Sequence, residues 1–177
     1  DELPLKYCVI SPCFRKEVGT HGKYTHGLFR MHQFNKVEQF VYATPEESWG
    51  LHEELQKNSE RMFQDLGIHY RVLVLCSGDT GFVMSKTYDN EIWMADGYYR
   101  EVGSNSNALD YQARRLNIRY REKEGAPPKD YVHMLNNTGV ATSRVMIAIL
   151  EQFQNEDGTV NVPKPLQTYM GGIKKLE

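Results

Sequence analysis

Cationic, aromatic and glycine residues are crowded into the segment FRKEVGTHGKYTHGLFRMHQF, which runs from Phe14 to Phe34. Arg30, Phe34 and Glu38 are separated by even numbers of residues, so on one strand all three would project from the same face. A guanidinium can form a fork onto phosphate, an aromatic ring can stack on a base, and a carboxylate can bind an ammonium group. This spacing suits a nucleotide bound beside a cationic ligand, while an ordinary solvated sheet face is the competing interpretation.

Two later segments add groups that could bind anions and cations. Arg144 follows the segment LNNTGVATS, a polar turn predicted to precede a helix, where free backbone amides favour anions. Residues 100–107, REVGSNSN, supply oxygen ligands of the kind that Mg²⁺ prefers. The sequence contains no GxxxxGK[ST] segment, which excludes a P-loop nucleotide site.

The first group of residues would be positioned by a long antiparallel hairpin. Residues 6–14 and 28–42 have the composition of strands, and residues 34–42 alternate between apolar and polar side chains. Three glycines, Gly19, Gly22 and Gly27, interrupt the polar loop between them. The hairpin would therefore place the cations and Phe34 near its loop.

The rest of the chain predicts further strands and a few helices. A helix is expected to start at Thr44-Pro45, with Glu47 three residues past the cap, and to end before Gly67. Further helices are predicted over 110–115 and 142–153, further strands over 70–75, 90–94, 98–102 and 131–135, and a loop over 123–130. Strands outnumber helices, so the predicted fold class is α+β, with an antiparallel sheet flanked by helices.

Composition narrows the classes of protein that this chain could be. With 177 residues, of which 40% are hydrophobic, the chain can bury the core of one globular domain. Its net charge of -2 means that any site for a polyanion must be a local cluster of cations. The apolar runs are too short to cross a bilayer, so no membrane partner and a cytoplasmic location are expected. Three cysteines without CxxC spacing are predicted to be buried free thiols.

Several segments, in order, resemble a known family. FRKE followed by GLFRMHQFNKVEQF is similar to the second signature motif of class II aminoacyl-tRNA synthetases in their seryl form, and LNNTGVATSRVMIAILEQFQ resembles the third. Between them, GDTGFVMSKTYDNEIWM, YYREVGSNSN and DYQARRLNIRY resemble the seryl linking region, and NEDGTVNVPKPLQTYMGG resembles the C-terminal tail. The resemblance covers essentially the whole chain, and several collinear motifs are far more specific than one.

This resemblance implies the class II catalytic fold and a set of ATP contacts. Arg15 would hold the α-phosphate together with the carboxylate of serine, and Arg30 would hold the outer phosphates. Glu17 would contact the edge of adenine, and Phe34 would stack on one face of the ring. Arg144 would cover the other face and reach the γ-phosphate. Arg15 and Arg144 are thus the expected catalytic residues, and ATP and Mg²⁺ are the expected cofactors.

The resemblance also implies a serine site and a metal site. Glu38, Asn136 and Thr138 match positions near bound serine, and Glu101 and Ser104 match the magnesium ligands. The implied reaction forms seryl-adenylate from serine and ATP and then transfers the seryl group to tRNA(Ser). No general base or nucleophilic side chain is required, because fixed cations and alignment supply most of the catalysis.

The loop of the hairpin is expected to contact the acceptor end of tRNA. It runs from Gly19 to Gly27, and its side chains suited to backbone and stacking contacts are His21, Lys23, Tyr24 and His26. The family's first motif and its N-terminal tRNA-binding arm have no counterpart in the sequence. Residues 1–177 are therefore expected to be the C-terminal portion of a catalytic domain, from a full-length protein that is a homodimer.

Two other functions remain open at the level of sequence. A synthetase paralogue could activate a small amino acid on the same surface and load it onto a carrier protein. An inactive fragment or regulatory relative could keep the fold without catalysis, although the retained cluster of arginines argues against this. The acceptor of the acyl group, tRNA or a carrier protein, would separate the first alternative from the main interpretation.

Overall fold

A computed structural model of the chain describes residues 2–17 and 27–177. Within these ranges, six strands form one antiparallel sheet. They are β1 (Leu5–Phe14), β2 (Gln33–Ala43), β3 (Tyr70–Val74), β4 (Lys86–Trp93), β5 (Tyr99–Asn107) and β8 (His133–Ala141). Their order across the sheet is β1-β2-β8-β5-β4-β3, so the two halves of the chain meet where β2 pairs with β8. Two short pairs of strands lie outside this sheet: β6 (Arg119–Tyr120) with β7 (Asp130–Tyr131), and β9 (Val160–Asn161) with β10 (Lys175–Leu176).

Helices pack against this sheet and bury its core. In the described residues these are α1 (Ser48–Leu66), α2 (Tyr111–Leu116) and α3 (Thr142–Gln152), while the short helix α4 (Lys164–Gln167) contacts α1. One buried cluster joins Phe63 of α1, Val145 of α3, and Ile92 and Val102 of the sheet. A second cluster joins Leu51 and Leu55 of α1 to apolar residues of β2 and β8. Burying these side chains is the main stabilising contribution, and it holds α1 and α3 on the same face. The predicted α+β fold with an antiparallel sheet flanked by helices is confirmed.

The predicted hairpin is confirmed, but its second strand is shorter than predicted. β2 begins at Gln33, whereas Gly27–Phe29 forms a 3-10 turn. β1 ends at Phe14, and the hairpin closes with the backbone N–H of Arg15 donating to the carbonyl of His32 at 2.8 Å. Among the described residues, none forms a strand paired with those preceding His32 on that side, so an extended conformation gains no ladder hydrogen bonds from them.

The start of α1 also differs from the prediction. The hydroxyl of Thr44 donates to the carboxylate of Glu47 at 2.8 Å, so these side chains bond each other rather than the helix backbone. Residues 45–47 form a turn, and the helix begins at Ser48. The predicted end is confirmed, because Gly67 has a φ of 72° and its N–H bonds back to the last turn.

The segment between His133 and Ala141 is one continuous strand, not a short strand followed by a polar turn. Its polar residues, together with Gly139, did not suggest a strand from local sequence. β8 lies between β2 and β5, however, and hydrogen bonds from both neighbours hold it extended. Strand preference depends on such neighbours more than on the residues themselves. The following helix, α3, begins at Thr142 as predicted.

Two predictions from composition can be compared with the structure. The cysteines are free, as predicted, but Cys8 and Cys76 are exposed and Cys13 is only partly buried, so the prediction of buried thiols is wrong. Cys8 and Cys13 lie on β1, at the edge of the sheet, where no described element covers them. Among the described helices, none has the length and apolar character needed to cross a membrane.

Candidate active site

The loop end of the hairpin brings two arginines to one carboxylate. Nε of Arg30 lies 2.5 Å from Oε2 of Glu17, and Nη1 of Arg15 lies 3.8 Å from Oε1 of the same side chain. Arg30 precedes β2, so the predicted alternation on one strand does not explain its position; the ion pair with Glu17 does. The guanidinium of Arg15 lies 5.3 Å from the centre of the Phe34 ring. Two cations and a flat ring are thus next to one another, as a nucleotide site requires.

The start of α3 lies beside this group. The hydroxyl of Thr142 donates to the backbone carbonyl of Asn35 on β2 at 3.0 Å. An open cavity of about 890 Å³ is lined by Glu17, Arg30 and Phe34 on one side and by residues at the start of α3, Thr142 and Ser143, on the other. Its volume falls within the range of about 300–1,000 Å³ that is usual for small-molecule sites. No side chain of the described residues caps the first turn of α3, which leaves its backbone N–H groups able to bind an anion.

Arg144 lies on α3, and its side chain contacts β5 and the 3-10 turn. Its Nη1 donates to the backbone carbonyl of Glu101 at 2.6 Å and lies 3.6 Å from the carboxylate of the same residue. Its guanidinium lies 4.7 Å from the ring of Phe29. Arg144 is not among the residues that line the cavity beside Phe34, but it immediately follows two that do. The predicted sandwich of a purine between Phe34 and Arg144 stays a prediction.

The three residues predicted to bind serine share one face of the sheet. Glu38 lies directly opposite Thr138, and Asn136 lies opposite Phe40, two residues further along β2. Oγ1 of Thr138 donates to Oε2 of Glu38 at 3.3 Å. Glu38 is almost completely buried, and Nζ of Lys36 lies 2.5 Å from its carboxylate, which compensates the buried charge. Lys36 was not among the predicted site residues; its position two residues from Glu38 on the same strand was the available signal.

A β-bulge places the two predicted metal ligands on the same face. Glu101 pairs with Glu91, but Gly103 pairs with the preceding residue, Asn90, so Val102 is the extra residue of β5. On a regular strand, residues three apart face opposite sides. The bulge reverses this, and Glu101 and Ser104 both project from the face that does not pack against α1.

Acidic neighbours make this part of the sheet strongly negative. Glu91 lies opposite Glu101, and Asp89 lies opposite Ser104. Burial, with the charges of Glu101 and Glu91 next in importance, raises the pKa of Asp89 from 3.8 to about 6. Nε of Arg71 lies 2.6 Å from the carboxylate of Glu91 and partly neutralises the group. Asp89, Glu91 and Arg71 were not predicted; the alternation of Asp89, Glu91 and Trp93 along one strand was the signal that could have found the first two.

A carboxylate and a hydroxyl on one face fit a magnesium ion that is also held by a nucleotide. In the described part of the chain, no three His, Cys, Asp or Glu side chains are arranged to hold a metal on their own. Mg²⁺ is usually bound by one or two protein ligands together with substrate phosphates and water, so Glu101 and Ser104 would suffice. Arg144, which contacts Glu101, would bring the phosphates and these ligands together.

The loop predicted to contact tRNA cannot be placed. Apart from Gly27, the segment from Gly19 to Gly27 lies outside the described residues, and with it His21, Lys23, Tyr24 and His26. The ten other predicted site residues are described. They lie on β2, β5, β8 and α3, and in the two segments that follow β1 and precede β2.

The sequence matches a family and close relatives. The profile of the family described as tRNA synthetase class II core domain (G, H, P, S and T) matches residues 1–153. The serine--tRNA ligase of Pyrococcus horikoshii is 58% identical over 171 residues, which are 96% of this chain and 37% of that protein. The serine--tRNA ligase of Methanoculleus marisnigri is 55% identical over 176 residues, which are 99% of this chain and 41% of that protein. The chain therefore spans about two fifths of the length of these curated relatives.

Solved structures give the same result. A crystal structure of seryl-tRNA synthetase from P. horikoshii complexed with ATP superposes with a TM-score of 0.94 at 57% identity, covering 99% of this chain and 39% of that one. The cytoplasmic serine-tRNA ligase from Naegleria fowleri in complex with AMP superposes with a TM-score of 0.91 at 48% identity, covering 99% of this chain and 42% of that one. The two relatives that these structures represent both hold an adenine nucleotide.

Proposed function

Because the chain belongs to the class II tRNA synthetase core-domain family, we propose that it carries the adenylation site of a seryl-tRNA synthetase. The observation that carries this proposal is the contact between Arg144 and Glu101 beside the hairpin. It joins a cation of the proposed nucleotide site to a carboxylate of the proposed metal site. The ATP complex of the P. horikoshii relative, at 57% identity, supports the same interpretation.

In the first step, a carboxylate oxygen of serine attacks the α-phosphorus of ATP. The bond from that phosphorus to the bridging oxygen breaks, and pyrophosphate leaves with the electron pair. Arg15 holds the α-phosphate and the serine carboxylate together, so two anions that would repel each other are aligned for reaction. Arg30 and Arg144 hold the outer phosphates, Glu17 contacts the edge of adenine, and Phe34 stacks on the ring.

The remaining residues of the site bind serine and the metal. Glu38 accepts hydrogen bonds from the ammonium group of serine, while Asn136 and Thr138 line the site beside it. Glu101 and Ser104 would hold Mg²⁺, which would offset the negative charge that develops on pyrophosphate. In the second step, a terminal ribose hydroxyl of tRNA(Ser) attacks the seryl carbonyl carbon, and AMP leaves.

The proposal extends to the protein at its full natural length. Residues 1–177 form the part of the catalytic domain that contains the second and third motifs, and the loop from Gly19 to Gly27 contacts the acceptor end of tRNA. The protein acts in the cytoplasm as a homodimer. The relative from N. fowleri, described as cytoplasmic, supports the location.

Serine-dependent exchange of labelled pyrophosphate into ATP tests the proposal. The full-length protein should catalyse exchange with serine and discriminate against threonine and alanine, and it should then charge tRNA(Ser). Exchange with a different amino acid alone would make the substrate assignment wrong. Transfer of the activated amino acid to a carrier protein rather than to tRNA would favour the paralogue. Neither alternative is favoured by a specific observation in the structure.

A further inference from the structure

Beneath the candidate site, the interface between α1 and the sheet contains a row of buried polar side chains. His52, Gln56 and Ser59 lie on one face of α1, at spacings of four and three residues, and each is almost completely buried. Their partners on three neighbouring strands are Asn90 of β4, Asn105 of β5 and Asn137 of β8, all fully buried. We call these six residues the amide network.

Hydrogen bonds join each strand to the helix. Nε2 of Gln56 donates to Oδ1 of Asn90 at 2.6 Å, and Nδ2 of Asn105 donates to Oε1 of Gln56 at 3.4 Å and to the backbone carbonyl of His52 at 2.9 Å. Gln56 therefore connects β4 and β5.

β8 is connected separately, through Ser59. Its hydroxyl donates to Oδ1 of Asn137 at 3.2 Å, and Nδ2 of Asn137 donates to the backbone carbonyl of Leu55 at 2.5 Å. Ser59 also contacts the backbone carbonyl of Thr138 at 3.4 Å. This contact links the helix directly to a residue of the proposed serine site.

Each asparagine of the network is a chain neighbour of residues on the opposite face. Asn137 lies between Asn136 and Thr138 of the proposed serine site, and Asn105 follows Ser104 of the proposed metal site. Asn90 occupies the pairing position at which the bulge of β5 begins. Because neighbouring residues on a strand face opposite sides, fixing an asparagine towards α1 fixes the adjacent side chain towards the site.

The amide network stabilises the folded protein less than apolar side chains in the same place would. Nδ2 of Asn90 and Oδ1 of Asn105 have no hydrogen-bond partner among the described residues, although both are buried. Unpaired buried polar atoms lower stability, and well-packed apolar side chains of similar size would avoid this cost. What the hydrogen bonds add is a defined register, since a shift of one residue would turn every site residue of a strand to the wrong face.

We propose that the amide network positions the substrate ligands, with Ser59 acting on the serine side and Gln56 on the ATP and metal side. This inference rests on the proposed function, because it assigns those two sides to serine and to ATP with Mg²⁺. The six residues touch no substrate; they are positioning residues that act through the backbone of β4, β5 and β8.

Two variants of the full-length protein separate the two sides. Ser59→Ala removes the hydroxyl that bonds Asn137, and it should raise KM for serine about 5-fold, the usual effect of one hydrogen bond, with little change in kcat or in ATP affinity. Gln56→Leu is similar in size but loses the bonds to Asn90 and Asn105. It should weaken the binding of ATP in the presence of Mg²⁺, measured by titration calorimetry, by about 5- to 10-fold while KM for serine changes less.

Phe63→Leu is the matched control, because it is a buried change on the same helix outside the network. It should lower Tm at least as much as the two variants but leave KM for serine and the calorimetric affinity for ATP unchanged. The inference is overturned if Ser59→Ala lowers Tm without changing KM for serine, or if Phe63→Leu changes the substrate constants equally.

The same experiment distinguishes failure of the inference from failure of the proposed function. If the wild-type protein activates a different amino acid, the function is wrong and the comparison of variants is repeated with that amino acid. If the wild-type protein activates serine and both variants match it in KM and ATP affinity, only the inference is wrong. Ser59→Ala removes a single oxygen atom, so it also serves as the test if Gln56→Leu does not fold.

Discussion

Arg144 donates a hydrogen bond at 2.6 Å to the backbone carbonyl of Glu101, which ties the start of α3 to the middle of the sheet. The same guanidinium lies over the ring of Phe29 at 4.7 Å and is mostly shielded from solvent. The cation that we assign to the nucleotide is thus held against the residue that we assign to the metal.

Replacing Arg144 by lysine should nearly abolish serine-dependent pyrophosphate exchange. Lysine keeps the charge but loses the planar group that stacks on Phe29 and can bond Glu101 and a phosphate together. We expect kcat/KM for ATP to fall by roughly 100-fold, as for loss of one preorganised donor to a reacting group. The exposed Arg61→Lys on α1 is the control and should behave as wild type. Equal activity of the two variants would show that Arg144 does not contribute to the active site.

Phe34→Ala should weaken the binding of ATP more than it slows the chemical step. Stacking of a base on an aromatic side chain contributes about 1–3 kcal/mol, so KM for ATP should rise by roughly 5- to 150-fold. Phe14→Ala, on the neighbouring strand, removes a ring that is 70% exposed and should leave KM for ATP unchanged. If KM for ATP stays the same in Phe34→Ala, the ring does not bind the base.

Arg71→Met should destabilise the sheet without changing the hairpin. Glu91 is largely buried, lies opposite Glu101, and depends on Arg71 at 2.6 Å for a countercharge. Removal of the Arg71 charge should lower the free energy of unfolding by about 1 kcal/mol or more, measured by urea denaturation. The reason is that the shielded carboxylate of Glu91 is then left unpaired beside the carboxylate of Glu101. Arg61→Met, whose ion pair with Asp65 is exposed, should cost much less. Equal losses in the two variants would show that the charge of Glu91 is adequately solvated.

Asp89→Asn should stabilise the protein at neutral pH. The pKa of Asp89 is raised from 3.8 to about 6, so between these values the folded state binds more protons than the unfolded state. Stability then falls as pH rises from about 4 through 6, and this loss persists at neutral pH. The variant has no such carboxylate, so its Tm should exceed that of wild type at pH 7.5 and approach it near pH 4.

Asp157→Asn is a control for which the expected change in Tm at neutral pH has the opposite sign. Hydrogen bonds from Thr159 and Lys175 lower the pKa of Asp157 from 3.8 to about 2, so its stabilising effect is present above pH 4 and lost as pH falls towards 2. This variant should have a lower Tm than wild type at pH 7.5. A higher Tm for both variants at pH 7.5 would indicate a general effect of net charge rather than the environment of Asp89.

Much of the fold was predictable because its signals are local. The apolar stripe of α1, the left-handed glycine at its end and the alternation along β2 each depend on a few neighbouring residues. β8 was not predictable in this way, because its polar residues are held extended by strands that are distant in sequence. The start of α1 was mispredicted since Thr44 and Glu47 have two alternative partners, the helix backbone or each other.

For the candidate site, the residues were predictable from sequence, but the contacts between them were not. Residue types and motif order identified ten candidate residues, and the described structure places these on adjoining elements. Neither type nor order indicated that Glu17 bridges Arg15 and Arg30, that Lys36 pairs with Glu38, or that α1 reaches β8 through Ser59. These contacts join residues whose separation along the chain says nothing about their distance in space.

The amino-acid sequence by itself determined which side chains are present, where helices and turns have local support, and which family the motifs resemble. Only the tertiary structure decided which way those side chains point. Glu101 and Ser104 are three residues apart and would face opposite sides of an isolated strand, yet pairing with β4 creates the bulge that turns both to one face. A bulge is a property of two paired strands, so no pattern within a single strand contains it.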